Sequence, residues 1–254
     1  TGMTGYEETI TDPSFLGQHI IFTHSHIGNY EANAQVRQAE RSFATCVIAR
    51  HFSANSFLDS LPIPLFSGVD TRSLVRYLVG KKTCTHKSVL TFSAQTPSAS
   101  EFAKANLNTD DLSLVSQKGK ITHRPGSNPI VIMNYGMKQA ILDHLMSLNF
   151  PLVSLSYDAS VDDVLACQPR LVFLSNGPGD PRNYHVQAQV VREILLKNIP
   201  VRAICLGIQL IGRALDIDVI KLPFGQRGAN HPVIDHITNQ TRITSQNHGY
   251  ALDT

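Results

Sequence analysis

One cysteine stands where an apolar segment gives way to a segment containing glycine: Cys205, in the sequence AICLGIQLIG. If the two segments form a strand and a helix, the thiol lies at a helix N-terminus, where unpaired N–H groups and the helix dipole favour the thiolate. Gly207 would permit a tight turn between them, and Gln209 would share a helix face with Cys205. The residues alone leave two interpretations open: an inert buried cysteine, which is common, or a nucleophile.

A second segment with chemical potential is the turn SNGPGDP at 175–181, in which Gly177 and Gly179 flank a proline. Such a turn exposes backbone N–H groups that can stabilise a negatively charged oxygen. Asn, Gly, Pro and Asp are also the ordinary residues of turns, so the segment is equally typical of a plain connection. Two Asn-His pairs follow, at His231 and His248. Histidines in such turns are more often structural or solvated than catalytic.

The elements that must position these residues alternate regularly in the second half of the chain. Short apolar segments predict strands, and amphipathic segments with helical periodicity predict helices. The predicted strands are 129–134, 151–157, 170–176, 200–205 and 218–222, and the predicted helices are 137–148, 159–166, 186–198 and 206–215. This alternation predicts an α/β fold with a mainly parallel sheet covered on both faces, whose ligands bind where strands end. Cys205 and the 175–181 turn would then meet at one crevice.

The first half of the chain predicts a separate α/β domain of less regular pattern. Strands are expected at 19–24 and 44–52, and a helix at 70–81, capped by Asp70 or Thr71. A polar segment containing glycines and a proline then predicts a linker. The expected division is therefore an N-terminal domain at 1–117, a linker at 118–128 and a second domain at 129–254.

The composition argues against several classes of protein. The chain has 254 residues, of which 42% are hydrophobic, and a formal net charge of +2, so no basic face for nucleic acid is expected. No apolar run approaches the roughly 20 residues of a membrane span. The four cysteines, Cys46, Cys84, Cys167 and Cys205, form no C-x-x-C pair, which predicts no metal site and a reduced, cytoplasmic protein. The chain starts without Met, so we expect an incomplete N-terminus, and organellar targeting stays open.

The motifs of both halves form a recognisable set. FLSNGPGDP, ICLGIQL, GANHPV and SQNHGYALD follow one another, and MTGYEETITDPS, HIGNY and VDTRSLVRYL precede them. In order and spacing this set resembles the small, glutamine amidotransferase subunit of carbamoyl-phosphate synthetase over nearly the whole chain. The later segments fit several class I amidotransferases, and the N-terminal segments narrow the resemblance to this subunit. It implies a flavodoxin-like class I amidotransferase domain, C-terminally truncated, behind an N-terminal small-subunit domain.

The resemblance also implies a reaction. Cys205 would attack the side-chain amide carbon of glutamine, and the N–H groups of Gly177 and Leu206 would hold the oxyanion. The implied glutamine contacts are Ser14, Gly177, Gly179, Leu206, Gln209, Asn247, Gly249 and Tyr250. Ammonia would pass to a large subunit that makes carbamoyl phosphate for arginine and pyrimidine synthesis. ATP and Mg²⁺ are expected on that large subunit, and no cofactor is expected in this chain.

One part of the family's machinery is missing from the sequence. Class I amidotransferases activate the cysteine with a histidine two residues before a glutamate, and none of the eleven histidines precedes a carboxylate by two residues. We expect this motif beyond Thr254, and a very slow glutaminase without it, because acid–base help is worth about 10²–10⁴-fold. The alternative is a degenerate, non-catalytic amidotransferase domain that docks on a synthetase and regulates it.

Overall fold

The computed structural model describes residues 4–80, 98, 100 and 109–253. Its first half is built on a parallel three-stranded sheet of order β1-β2-β3. The strands are β1 (His19–Ile21), β2 (Cys46–Ile48) and β3 (Leu65–Phe66), and the helices are α1 (Tyr6–Ile10), α2 (Ser56–Asp59) and α3 (Thr71–Gly80). The predicted α/β character of this half is confirmed. Met3 of the MTGYEE segment, Cys84 and the predicted end of the helix at position 81 lie outside the described residues.

The second half contains a five-stranded sheet of order β4-β6-β5-β7-β8. Its strands are β4 (Lys120–Arg124), β5 (Ile130–Met133), β6 (Leu152–Leu155), β7 (Leu171–Leu174) and β8 (Val201–Ala203). Its helices are α4 (Gln139–Ser147), α5 (Val161–Ala166), α6 (His185–Leu196) and α7 (Leu206–Ala214). Strands β5 to β8 run parallel, and β4 pairs antiparallel with β6 at the edge. A mainly parallel α/β sheet is therefore present, as predicted.

The central strands are buried on both faces, which is why they form continuous apolar segments. All four residues of β5 and all four of β6 are buried. Val131 and Met133 pack into the larger hydrophobic core on one face, and Ile130 and Ile132 pack into a smaller cluster on the other. Helices cover both faces of such a sheet because neither face can remain in water.

The strand order reverses beside β5, and this reversal creates a crevice. β6 lies on one side of β5, whereas β7 and β8 lie on the other. Ligands of open α/β sheets bind at such a switch point, outside the carboxyl ends of the strands. The segments that follow these ends are 134–136 after β5, 175–179 after β7 and 204–205 after β8.

Two features of the second half differ from the prediction. The linker expected at 118–128 contains β4, whose residues Lys120, Ile121 and Thr122 are exposed. The sequence did not predict this strand, because an edge strand with one solvated face has few apolar residues. The strand expected at 218–222 is longer: β9 (Val219–Asp235) pairs antiparallel with β10 (Gln240–Leu252). The sequence did not predict β10, because its glycine and its many polar residues do not show the alternation of apolar and polar residues that indicates a strand.

The two halves meet at the first turn of α4. The Lys138 side chain does not cap this helix. Instead Gln38, a buried residue of the first half, accepts hydrogen bonds from two N–H groups of the turn. Its backbone oxygen accepts from Gln139 at 2.9 Å, and its side-chain Oε1 accepts from Ala140 at 3.3 Å. The first half therefore provides hydrogen-bond acceptors for N–H groups at the start of α4 that have no acceptor within the helix.

Across the described ranges, none of the helices has the length and hydrophobicity that a membrane crossing requires. The same part of the chain holds no cluster of His, Cys, Asp or Glu side chains arranged to bind a metal ion.

Candidate active site

Cys205 occupies a tight elbow between β8 and α7. Its backbone has φ 51° and ψ −109°, a conformation that residues with a side chain rarely adopt. The next turn is held by the Gly207 N–H, which donates to Ser175 O at 3.1 Å and to Ile204 O at 3.0 Å. Strain of this kind costs about 1–3 kcal/mol and is typical of functional sites.

Gly207 is required at this elbow for steric reasons. A Cβ at position 207 would lie 2.5 Å from the Leu174 backbone oxygen and 2.7 Å from the Leu174 Cβ. The start of α7 therefore packs directly on the end of β7, and only glycine allows this approach. The sequence pattern of a nucleophile elbow corresponds to the observed geometry.

The thiol does not have the low pKa expected from its place at a helix N-terminus. Burial raises the pKa of Cys205, and the Asp12 carboxylate raises it further. The Leu206 N–H and the cations Lys138 and Arg227 lower this pKa, but to a smaller extent. The helix N-terminus thus favours the thiolate through the Leu206 N–H, but desolvation opposes the charged form more strongly than the helix favours it.

The glycine turn after β7 lies against the start of α7. A Cβ on Gly177 would collide with Tyr135 O and would lie 2.7 Å from Leu206 Cδ2. Gly177 therefore contacts Leu206, the residue that follows Cys205. Within the described ranges, neither the Gly177 N–H nor the Leu206 N–H donates to a backbone oxygen. The Gly177 N–H is thus not used by the backbone of the described residues, and the Leu206 N–H interacts with the Cys205 sulfur.

The far end of the same turn is fixed by side chains. Gly179 has φ +84°, and a Cβ there would collide with Tyr184 Oη. The Tyr184 hydroxyl donates to Pro178 O at 3.1 Å. Asp110, which precedes the second half, accepts from the Asp180 N–H at 2.9 Å and from Asn183 Nδ2 at 2.6 Å. These contacts hold the glycine turn in one conformation.

Strand β10 passes over Cys205. The Cys205 thiol donates a long hydrogen bond to Asn247 O at 3.8 Å. Gln209 is buried, and its Nε2 donates to Tyr250 O at 3.0 Å. Gly249 lies between these contacts on β10, where a Cβ would meet Lys221 Nζ at 3.3 Å. The four predicted contact residues on α7 and β10 are thus assembled beside Cys205.

Tyr250 faces the glycine turn as well as α7. Its ring lies 4.0 Å from Lys221 Nζ and 5.6 Å from Arg182 Cζ. Burial raises the pKa of Tyr250, and the neighbouring Asp180 carboxylate raises it further. The hydroxyl therefore remains protonated, and it connects β10 to the turn that carries Gly177 and Gly179.

Ser14 brings the first half of the chain to the same crevice. It lies in the short 3₁₀ turn Pro13–Phe15, and its Oγ accepts from Asn176 Nδ2 at 3.0 Å. Asn176 also donates to Gly136 O at 3.0 Å, at the end of β5. Ser14 of the first half therefore contacts the glycine turn of the second half, and its contact with glutamine stays a prediction.

Sequence reasoning missed three charged residues near the thiol. Asp12 is buried and lies 2.7 Å from Lys138 Nζ. Arg227 of β9 donates to Asn247 Oδ1 at 2.5 Å and stacks over Phe15 at 5.6 Å. Asp12 stands within the quoted segment MTGYEETITDPS, but its partners lie far along the chain, so spacing gave no signal for them.

Two other features make no hydrogen bond to the thiol. The His248 Nδ1 is 2.9 Å from Tyr250 O, and no histidine in the described part of the chain hydrogen-bonds to the Cys205 thiol. A cavity of about 600 Å³ lies at the end of β6, lined by residues such as Ser116, Lys118 and Tyr157. None of the predicted site residues lines this cavity, so its size alone does not identify the reactive centre.

Comparison with known proteins gives consistent matches for both halves. A family model described as "Glutamine amidotransferase class-I" matches residues 130–254, and one described as "Carbamoyl-phosphate synthase small chain, CPSase domain" matches residues 1–88. A crystal structure of a glutamine amidotransferase from Methylobacillus flagellatus is 17% identical, with a TM-score of 0.42, and covers 50% of this chain and 58% of that chain.

Two relatives named carbamoyl phosphate synthase small chain match the chain from end to end. The protein of Caldanaerobacter subterraneus subsp. tengcongensis is 40% identical over 265 residues, which cover 100% of this chain and 72% of the relative. The protein of Listeria monocytogenes is 37% identical over 268 residues, with the same coverage of 100% and 72%. This similarity joins both halves in one alignment, and the chain belongs to the carbamoyl phosphate synthase small chain family.

Proposed function

We propose that the chain is the glutamine-hydrolysing subunit of a carbamoyl phosphate synthase, with Cys205 as its nucleophile. The observation that carries the proposal is the strained elbow of Cys205, beside which the N–H groups of Leu206 and Gly177 donate to no backbone oxygen of the described residues. Strained turns that present a nucleophile next to unused backbone donors suit reactions that pass through an oxyanion.

The proposed reaction begins with attack of the Cys205 sulfur on the side-chain amide carbon of glutamine. The carbonyl oxygen becomes an oxyanion that accepts hydrogen bonds from Gly177 and Leu206. The C–N bond then breaks, and the nitrogen leaves as ammonia after taking up the proton that the thiol lost. Water attacks the remaining glutamyl thioester, which releases glutamate and restores the thiol.

The proposed glutamine contacts are the residues that surround the elbow. Ser14 approaches through Asn176, and Gly179 shapes the turn that presents Gly177. Four more contacts come from α7 and β10, namely Gln209, Asn247, Gly249 and Tyr250. A small polar substrate fits such a site because several fixed donors and acceptors converge on one crevice.

The proposal extends to the partner and the pathway. A large chain would bind ATP and Mg²⁺, receive the ammonia and form carbamoyl phosphate for arginine and pyrimidine synthesis. The relatives' name, which contains "small chain", supports such a partner. We place the protein in the cytoplasm, in keeping with the free thiols of Cys46, Cys167 and Cys205. The 254-residue chain by itself would be a slow glutaminase, because none of its eleven histidines precedes a carboxylate by two residues to act as the family's base.

The decisive experiment replaces the nucleophile in the natural protein assembled with its large chain. Cys205→Ser is expected to abolish carbamoyl phosphate synthesis from glutamine and to leave synthesis from ammonia unchanged, because the two nitrogen sources differ only in the hydrolysis step. Cys167→Ser, which replaces a partly exposed cysteine of α5's C-terminal end, is the matched control and should retain both activities.

Other outcomes would contradict the proposal. If the Cys205→Ser variant still used glutamine at the wild-type rate, the assignment of Cys205 as the nucleophile would be wrong. If the wild-type assembly used ammonia but never glutamine, the chain would be a non-catalytic domain that docks on the synthase.

A further inference from the structure

Asp12 connects the first half of the chain to the residues around Cys205 through both of its carboxylate oxygens. Its Oδ1 accepts from the Ser14 N–H at 2.9 Å, which fixes the turn that carries Ser14. Its Oδ2 lies 2.7 Å from Lys138 Nζ and accepts from Asn247 Nδ2 at 3.2 Å. One carboxylate therefore binds three segments of the chain, from the first half, the loop after β5, and β10.

This carboxylate is buried where a charge is costly. The Asp12 side chain is only 2% exposed. A buried carboxylate destabilises the folded protein unless its oxygens are paired. Proteins in which apolar residues of similar volume replace a buried ion pair are often equally stable. Protein stability therefore does not explain why a carboxylate is present at position 12. The residues that it binds give a better explanation.

The charge of Asp12 also works against the nucleophile. The negative carboxylate raises the pKa of Cys205, whereas Lys138 and Arg227 lower it. A role in activating the thiol would require the opposite sign. What Asp12 contributes is geometry, because it holds the Lys138 ammonium and the Asn247 amide at fixed positions next to the sulfur.

We infer that Asp12 is a positioning residue of the glutamine site, which orders Lys138, Asn247 and the Ser14 turn for substrate binding. This inference rests on the proposed function. It also gives the first half of the chain a role in the recognition of glutamine. Cys205 lies in the second half, but the first half supplies Asp12, which orders the site. Asp12 itself acts through its partners.

The test replaces the carboxylate by an amide of the same shape in the natural protein assembled with its large chain. Asp12→Asn is expected to raise the KM for glutamine by about 10- to 100-fold, because hydrogen bonds to charged groups are lost. The kcat for glutamine should fall much less, and synthesis from ammonia should not change. A purely structural role would lower all activities together.

The matched control is another buried carboxylate in an ion pair of the first half. Glu7 is fully buried, lies 3.2 Å from Arg37 Nε and accepts from the Asn33 N–H at 2.8 Å. Glu7→Gln loses a similar buried pair but touches none of the residues around Cys205. Its KM for glutamine should stay within about twofold of the wild type.

A double-mutant cycle with Lys138→Gln tests the pairing directly. If Asp12 acts through Lys138, the two substitutions together should raise KM by less than the product of their separate effects. If the Asp12→Asn variant does not fold, the KM for glutamine of Lys138→Gln alone tests the inference, because this substitution removes the other member of the pair.

Several results would overturn the inference without touching the proposed function. An unchanged KM in Asp12→Asn or, failing that variant, in Lys138→Gln would do so, and so would equal KM increases in Asp12→Asn and Glu7→Gln. Failure of the proposed function would appear differently, as a wild-type assembly that cannot use glutamine.

Discussion

At the scale of residues, the environment of Cys205 combines features that favour and oppose its reactivity. The elbow places the sulfur next to the Leu206 N–H, which lowers the pKa of the thiol, yet burial and Asp12 raise this pKa. Asp12, Lys138 and Arg227 are the charged groups that act on the thiol, in addition to the Leu206 N–H. The resting protein therefore holds Cys205 mainly as the neutral thiol at neutral pH.

The raised pKa leads to a measurable pH dependence. The rate of alkylation of Cys205 by iodoacetamide should follow the thiolate fraction, with a midpoint above the ordinary thiol value of about 8.5. Mass spectrometry of the peptide that contains Cys205 measures this rate as a function of pH. The same peptide in unfolded protein is the control and should titrate at the ordinary value. A folded-state midpoint at or below that of the unfolded protein would show that the helix and the two cations outweigh burial.

Sequence patterns could predict Cys205 and the glycines but not the charges around them. Local rules suffice for an elbow, because its strand, glycine and helix are consecutive in the chain. Asp12 and Asn247 are 235 positions apart, and no local pattern relates them. Contacts of this kind depend on how the two halves pack, which periodicity does not encode.

At the scale of elements, the parallel strands of the five-stranded sheet were predicted, whereas the antiparallel strands β4 and β10 were not. Strands β5 to β8 lie within the predicted apolar segments, and the central strands β5 and β6 are apolar because they are buried on both faces. β4, at the sheet edge, and β10, in the hairpin, are mostly or partly exposed and contain polar residues. Their pairing comes from neighbours that are distant in sequence, so single-segment patterns missed them.

The packing of α7 on β7 can be tested at Gly207. Gly207→Ala should destabilise the protein by about 1–3 kcal/mol, because the new methyl group overlaps Leu174. Urea unfolding measures this loss. Glutamine-dependent activity should also fall, by about 100-fold if the elbow moves by 1 Å, with ammonia-dependent activity retained.

A second glycine provides the control for that substitution. Gly80 is the last residue of α3, and within the described part of the chain a Cβ there meets no atom within 4 Å. Gly80→Ala should therefore leave stability unchanged or raise it by up to about 1 kcal/mol. Equal destabilisation by the two substitutions would argue against the steric explanation.

At the scale of the whole molecule, the two halves are joined by polar contacts at the site itself. Ser14 contacts Asn176, Asp12 pairs with Lys138, and Gln38 accepts from the first turn of α4. Each contact links the first half to a segment that follows a strand of the five-stranded sheet. Separation of the halves would therefore disturb the site as well as the interface.

The contribution of Gln38 can be measured by truncating its side chain. Gln38→Ala should lower the free energy of unfolding by about 0.5–2 kcal/mol, the range for loss of a helix-capping side chain, because Ala140 loses its acceptor. Gln35, an exposed residue of the same segment, provides the control, and Gln35→Ala should have little effect. Equal stability of Gln38→Ala and wild type in urea would show that water replaces the cap at no cost.

The cap supplied by Gln38 has a consequence for protein engineering. A chimaera that transplants residues 129–254 onto a foreign polypeptide would leave the Gln139 and Ala140 N–H groups of α4 without their acceptors. The Lys138 ammonium would lose its counter-ion in the same step. Exchange of amidotransferase modules between synthases should therefore move the preceding half together with the half that carries Cys205, or rebuild the lost acceptors in the new host.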